Sequence, residues 1–315
     1  MNDGLTNGQE NFNLMIHIAN APCSWGALEF DLEQKSAPIG YAQVLDEMTQ
    51  TKYQGTELGD WGFMPTDPSA LRSALVMRNL ELVGAFVPVN LKDKASHSAG
   101  VEHALKVARL MHEAGYSNAF IVLADENGTD SVRTLNAGRV LKDMQLSDVQ
   151  WNVFADGCMR ISEKVQSAYQ MRTVFHHHCA GFIETPDEIA KLMHLTDPSL
   201  MGLCFDTGHY AFGGGNPTEG LQQFQSRIWH VHFKDFDPKI AQLSSAANGD
   251  YFDTISKGVF CELGKGAVDF SEVKNILDQQ QYEGWIVVEQ DVLPGMGDPK
   301  ACAASNRNFL TSIGL

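Results

Sequence analysis

The sequence predicts an α/β protein folded as a single (β/α)8 (TIM) barrel, and three observations carry that expectation. Short apolar, β-branched runs alternate with longer stretches of helical periodicity, the pattern of βα units around a parallel sheet. Eight such runs can be counted, and no glycine-rich dinucleotide fingerprint opens any of the helices, which favours a closed barrel over an open doubly wound sheet. The two longest irregular stretches, 125–145 and 235–266, both follow strands. In a barrel those connections sit on the catalytic rim, where long insertions serve as lids or pocket walls.

The expected strands are 15–19, 55–58, 82–88, 118–123, 173–177, 201–205, 228–233 and 285–288. The expected helices between and after them are 43–51, 68–78, 101–114, 149–171, 186–195, 218–225, 270–280 and 300–310. Several starts carry a mechanism. Thr185-Pro186-Asp187-Glu188 supplies an N-cap hydroxyl, a proline at the first helical position and an acid that can close a capping box. Asp67-Pro68 opens the second helix in similar fashion. A chain of 315 residues leans by length towards two domains, but barrels run past about 250 residues as one unit. No Pro/Gly/Ser tract divides this one, so residues 14–315 are expected to form one barrel domain behind a polar, disordered tail at 1–13.

Charge narrows the function. Lys plus Arg number 23 against 39 Asp plus Glu, a formal net charge of −16. That surplus repels nucleic-acid phosphates and anionic membranes, and no basic stripe overrides it. Small neutral substrates are favoured over highly anionic ones. Six scattered cysteines without a CxxC pair point to free thiols in a reducing compartment. The N-terminus has no basic region followed by an apolar stretch, and no run approaches a membrane span. A cytoplasmic protein is expected. Barrels of this size often associate, so a homo-oligomer is also an open expectation.

The residues that end the strands carry the chemistry. The fifth closes on His176-His177-His178 and reaches Glu184 before its helix; the sixth runs into Asp206-Thr207-Gly208-His209. The seventh is His230-Val231-His232-Phe233-Lys234-Asp235, and the eighth ends Val288-Glu289-Gln290-Asp291. A lone His at a strand end is more often structural than a ligand, and a lone Asp is commonly a helix cap. Neither reading explains the same placement on four consecutive strands. In a closed barrel these groups converge, and mixed imidazole and carboxylate ligation suits Mn²⁺, Co²⁺, Fe²⁺ or Zn²⁺ better than Ca²⁺. A divalent metal is therefore expected, Mn²⁺ or Co²⁺ first, with Zn²⁺, Fe²⁺ and Mg²⁺ behind them.

At these residues the chain resembles the xylose-isomerase-like barrel superfamily, and within it the myo-inosose-2 dehydratase family of inositol catabolism. The resembling segments are Val174 to His178, Glu184 to Ile189, Phe205 to His209, His230 to Asp235 and Trp285 to Asp291, with Ala21 to Gly26 and Gly55 to Gly59 early in the chain. The resemblance implies metal ligation by Asp206, His232 and Glu289 plus one group from the fifth strand. There the isomerases and epimerases usually place Glu, where this chain has His176. Loss of one carboxylate disfavours two-base epimerisation and fits a dehydratase better. The fourth ligand stays open between His176 and Glu184.

The activity expected is metal-dependent dehydration of a polyhydroxylated cyclic ketone such as 2-keto-myo-inositol, through an enediolate. A base removes the proton beside the ketone, and an acid protonates the departing hydroxyl. Lys234 shares a strand face with His232 and is the candidate acid or enolate partner; its structural alternative is an ion pair with Asp235 or Glu289. His209 and His178 are candidates for binding a hydroxyl or relaying a proton, whereas His177 is expected to point outward. Trp25 is a candidate face for sugar C–H groups and Glu57 for a substrate hydroxyl. A sugar or sugar-phosphate isomerase or epimerase shares the same first intermediate and stays open, as does a non-catalytic sugar-binding barrel. The small-molecule partner is in each case a polyol or sugar ketone.

Overall fold

The computed structural model describes residues 16–27, 39–293 and 295–315. The tail expected at 1–13 lies outside those residues. Among the described residues ten strands are formed: β1 Ile16–Asn20, β2 Gly55–Glu57, β3 Glu81–Val89, β4 Phe120–Asp125, β5 Thr173–His176, β6 Met201–Asp206, β7 Ile228–Phe233, β8 Asp235–Phe236, β9 Phe260–Cys261 and β10 Gly284–Val288. Eight of them close a parallel barrel in the order β1-β10-β7-β6-β5-β4-β3-β2. The seam pairs Ile18 with Ile286 and Asn20 with Val288. β-Branched and aromatic runs such as Thr173–His176 and Ile228–Phe233 suit strands buried on both faces.

Outward-facing side chains pack under the surrounding helices in one continuous core that includes Phe154, Phe175, Phe205 and Phe233. Smaller clusters, Ala19, Ala21, Val83 and Val287 in one and Phe120, Val122, Val174 and Cys204 in the other, fill the space among the strands. The expected capping box forms at helix Pro186–Leu195, with Thr185 accepting from the Glu188 amide. Asp67 caps Pro68–Val76 by accepting from the Ala70 amide. All six cysteines are free. No helix among the described residues is long and apolar enough to cross a membrane.

Strand boundaries fall within two residues of expectation, but the rim is more ordered than the sequence suggests. The stretches 125–145 and 235–266, expected as irregular, contain helices Ser131–Leu135, Pro238–Ala246 and Tyr251–Ser256 and the antiparallel pair β8–β9. Each helix is capped by an aspartate, Asp130, Asp237 or Asp250, accepting from first-turn amides. These helices are too short to show a hydrophobic repeat, so their caps were the only local signal. Asp206 likewise caps a one-and-a-half-turn helix, Thr207–Phe212, that periodicity does not reveal.

Candidate metal centre and cleft

His176 is the last residue of β5, Asp206 the last of β6, His232 the fifth residue of β7, and Glu289 directly follows β10. Register pairs Asp206 with His232 and Val287 with His232, so neighbouring strands end at one height. One ligand-type atom from each of the four residues lies within 4.8 Å of all the others. His176 Nε2 is 3.6 Å from Asp206 Oδ2, and His232 Nδ1 is 3.3 Å from Glu289 Oε1 and 3.9 Å from Asp206 Oδ2.

Hydrogen bonding separates the bland reading from the functional one. Asp206 is a helix cap: its Oδ1 accepts from the His209 amide at 2.7 Å. Its Oδ2, however, has no hydrogen-bond partner among the described residues, and the same holds for both ring nitrogens of His176 and for His232 Nδ1. Buried polar atoms left unpaired cost about 1–3 kcal/mol each. Here they face one another around a common point. A transition-metal ion about 2.0–2.2 Å from each ligand holds its ligands roughly 3–3.5 Å apart, so the set fits such an ion with little adjustment. Two imidazoles and two carboxylates are also the donor mixture such ions accept.

The centre opens into a cleft lined by Phe86, His178, Lys234, Tyr251 and Asp291 among others. Lys234 Nζ is buried 3.2 Å from Glu289 Oε2, 3.5 Å from Asp291 Oδ2 and 3.4 Å from His209 Nε2. Burial opposes its charge, but the surrounding carboxylates, Asp291 and Glu289 foremost, hold the ammonium well above the ordinary lysine range. Burial would raise Glu289; the charges of His232 and Lys234 outweigh it and keep that carboxyl well below its usual range. Asp291 is raised, chiefly by burial. His178 is pushed down to about 3 by burial and then by the charge of His176. Its Nδ1 lies 2.9 Å from the Cys179 carbonyl and 3.3 Å from Asn127 Nδ2; the shorter contact favours the proton on Nδ1, which leaves Nε2 with its lone pair. Gly208 makes room for the lysine stem, since a Cβ there would lie 2.7 Å from Lys234 Cγ.

The structure thus brings His176, Asp206, His232 and Glu289 together and sets Lys234 and His178 at the cleft. Other expected residues go elsewhere. Glu184 stands apart from the cluster: its Oε1 accepts from the Gly138 amide at 2.6 Å and its Oε2 from the Ala180 amide at 2.9 Å. Both oxygens are spent on loop backbone, which corrects its candidacy as the fifth-strand ligand in favour of His176. Trp25 is 4% exposed and belongs to the main core, its indole N–H donating to Glu47 Oε2 at 2.7 Å. That removes it as a sugar platform; the hydrophobic ring won over the exposed face. Glu57 lines the cleft, but its Oε1 is taken up by His230 Nε2 at 2.8 Å and His232 Nε2 at 2.9 Å. Its carboxyl is held at about 2, because the two imidazoles, His232 first, outweigh the burial that would raise it.

His209 is fully buried behind Lys234, and its Nδ1 lies 3.4 Å from the Cys179 amide. Burial keeps the ring well below its ordinary pKa and so neutral, and a neutral ring has one lone pair. Only one of its two 3.4 Å contacts is therefore a hydrogen bond. His177 points out of the barrel as expected, accepting from the Asp206 amide at 3.1 Å. Lys234 pairs with Glu289, one of the two expected partners, and with Asp291 rather than Asp235, whose carboxylate instead accepts the amides of Gly264, Gly266 and Val268. Asp291, Tyr251 and His230 were missed. Asp291 shares strand parity with Glu289, so the signal was present. Tyr251 comes from a rim helix with no sequence signal for the cleft. Its hydroxyl is buried and without a hydrogen-bond partner among the described residues.

Comparison with known proteins identifies the family. The family model described as xylose isomerase-like TIM barrel matches residues 45–313. The chain belongs to that family. Inosose dehydratase of Bacillus thuringiensis (strain Al Hakam) is 30% identical over 296 residues, covering 94% of this chain and 96% of the relative. Inosose dehydratase of Clostridium botulinum (strain Eklund 17B / Type B) is 28% identical over 298 residues, covering 95% and 97%. Among solved structures, IolI protein with a binding zinc atom superposes with a TM-score of 0.70 at 12% identity, covering 95% of this chain and 98% of that one. L-Ribulose 3-epimerase gives 0.69 at 16% identity, covering 95% and 94%. This member of the family is an enzyme, its near-full-length relatives being named dehydratases.

Proposed function

We infer that this enzyme is a divalent-metal-dependent hydro-lyase that dehydrates a neutral, polyhydroxylated ketone of the inosose class. The observation that carries the reading is the set of unpartnered atoms of His176, Asp206 and His232, with Glu289 beside them, at the floor of the cleft. Similarity to inosose dehydratases along nearly the whole chain supports the substrate class. When bound, the cation supplies Lewis-acid stabilisation of negative charge developing on the ketone oxygen.

The remaining work falls to side chains of this protein. Lys234, whose ammonium is paired with Glu289 and Asp291 and held above the ordinary lysine range, serves as a proton donor. It is placed to neutralise charge on a substrate oxygen or to protonate the departing hydroxyl. His178, neutral and with its Nε2 lone pair free, accepts a proton or a hydroxyl hydrogen bond. The buried Tyr251 hydroxyl needs a partner, which a substrate hydroxyl supplies. Proton removed from carbon and hydroxide lost from the neighbouring carbon together make one water.

The test is incubation of the Mn²⁺- or Co²⁺-loaded enzyme with 2-keto-myo-inositol in D₂O, followed by mass spectrometry. Loss of the mass of one water is the expected outcome. Deuterium gain without that loss would replace the hydro-lyase by an isomerase or epimerase. An enzyme that binds no divalent cation would overturn the metal centre itself.

A further inference from the structure

We propose that Glu57, reaching across the barrel from β2, is a positioning residue that fixes the tautomer of His232 and so aims Nδ1 at the cation. The inference rests on the metal centre described above and says which histidine atom serves it and what commits that atom.

A neutral imidazole carries one N–H and one lone pair. Glu57 is 3% exposed and its Oε1 lies 2.9 Å from His232 Nε2, so that nitrogen carries the proton and donates it. In the neutral ring that a cation needs as its ligand, the lone pair is then confined to Nδ1, the atom 3.3 Å from Glu289 Oε1 and without a hydrogen-bond partner among the described residues. Carboxylates bonded to the far nitrogen of a ligating histidine orient the ring and raise its basicity. His230, one inward position earlier on β7, donates to the same oxygen at 2.8 Å and so helps to hold the carboxylate in place. Three groups from two strands on different sides of the barrel therefore form one chain, His230–Glu57–His232.

The backbone is shaped for this chain. The pairing of β2 with β3 shifts register between Thr56 and Glu57, which sets Glu57 against Gly84. A Cβ at Gly84 would stand 2.9 Å from Glu57 Oε1 and 3.0 Å from Val122 Cγ2. Only glycine leaves the carboxylate its place without displacing a neighbour, although its backbone needs no left-handed conformation there. Its place at the end of the second strand offered Glu57 to a substrate hydroxyl; the structure gives its bonded oxygen to the two histidines.

Two variants and one spectroscopic readout test this, none of them relying on turnover. Glu57→Met removes the acceptor for both rings, and Gly84→Ala leaves every polar group present while crowding the carboxylate. Titration of the metal-free proteins with Mn²⁺, followed by electron paramagnetic resonance, is expected to show affinity about 10- to 100-fold weaker in Glu57→Met. For Gly84→Ala the expected loss is smaller, about 3- to 10-fold, and this variant carries the test where Glu57→Met does not fold. In the Zn²⁺-loaded parent labelled with ¹⁵N-histidine, long-range ¹H–¹⁵N correlations should show His232 protonated at Nε2. Parent-like affinity in the folded variants, or a His232 protonated at Nδ1, overturns the inference while leaving the metal centre standing. A parent protein that binds no cation overturns both.

Discussion

Two regions of the rim use the same residue types to opposite ends. Around the cation cluster, His176, Asp206 and His232 present buried atoms with no hydrogen-bond partner among the described residues. A few residues away, Asp125, Glu184 and Glu188 are as deeply buried, yet their oxygens are occupied. Asp125 accepts the amides of Leu91 and Phe182, and Glu184 those of Gly138 and Ala180. Glu188 binds Arg133 through both oxygens at 2.8 and 3.0 Å and also receives the Glu184 and Thr185 amides. Burial of a carboxylate thus distinguishes nothing by itself. What distinguishes the regions is whether the protein completes the hydrogen bonding or leaves it for a ligand.

Breaking the cluster should show the largest effect, and it should fall on binding and turnover. Asp206→Asn keeps a good helix cap while removing the anionic Oδ2 from the cation side. We expect cation affinity to fall by at least about 100-fold, the top of the range seen when only outer-sphere partners are lost, and turnover to fall with it. In the presence of chelator the variant should unfold within about 1 kcal/mol of the parent, since a satisfied cap is retained. A variant that binds Mn²⁺ as tightly as the parent would remove Asp206 from the centre.

The stitched region should answer in the reverse sense. Arg133 is 1% exposed, donates to the Gly181 carbonyl at 2.8 Å and forks onto Glu188, tying the excursion after β4 to the loop after β5. Arg133→Met leaves the buried Glu188 charge uncompensated, and loss of one partner of such a pair costs about 3–5 kcal/mol. Chemical denaturation should register that loss, whereas Mn²⁺ affinity at the cluster should change by less than about tenfold, below the range for partners of the ligands. A large affinity loss with unchanged stability would erase the distinction between the two regions.

Much of this architecture was legible in the chain. Eight strands repeat a β-branched, apolar composition that buried parallel strands require, and the polar residues that end the last four stand out against it. Placement at consecutive strand ends offered His176, Asp206, His232 and Glu289 as one converging set, and the family resemblance implied Asp206, His232 and Glu289 as ligands. Strand-end placement misleads where a side chain can satisfy itself locally. Glu184 follows a strand like a ligand but folds onto backbone amides, and nothing in sequence spacing tells free oxygens from occupied ones. Trp25 failed because a large ring at a strand end is equally suited to core and cleft. Tyr251 was invisible because it reaches the cleft from an insertion whose path depends on the β8–β9 pair and a six-residue helix. Long-range pairing of that kind leaves no periodic trace.

The smallest effect separates the regions by pH. Burial raises Glu184 to about 7, more than the Arg133 charge and the two amide hydrogen bonds lower it. The unfolded chain releases that proton near 4.5, the ordinary value. Between the two values the unfolded state loses the proton while the folded state keeps it. The group's contribution to stability is thus complete below about 4.5 and is lost as pH rises through about 7, on the order of 3 kcal/mol in all. Glu184→Gln cannot titrate, although its NH₂ faces an amide donor and costs about 1–3 kcal/mol at every pH. Urea-unfolding free energies of parent and variant, both in chelator so that cation binding does not enter, should therefore converge from pH 5 to pH 8. A difference that stays constant across that range would mean the carboxyl ionises alike in both states, and that its two amide bonds offset burial completely.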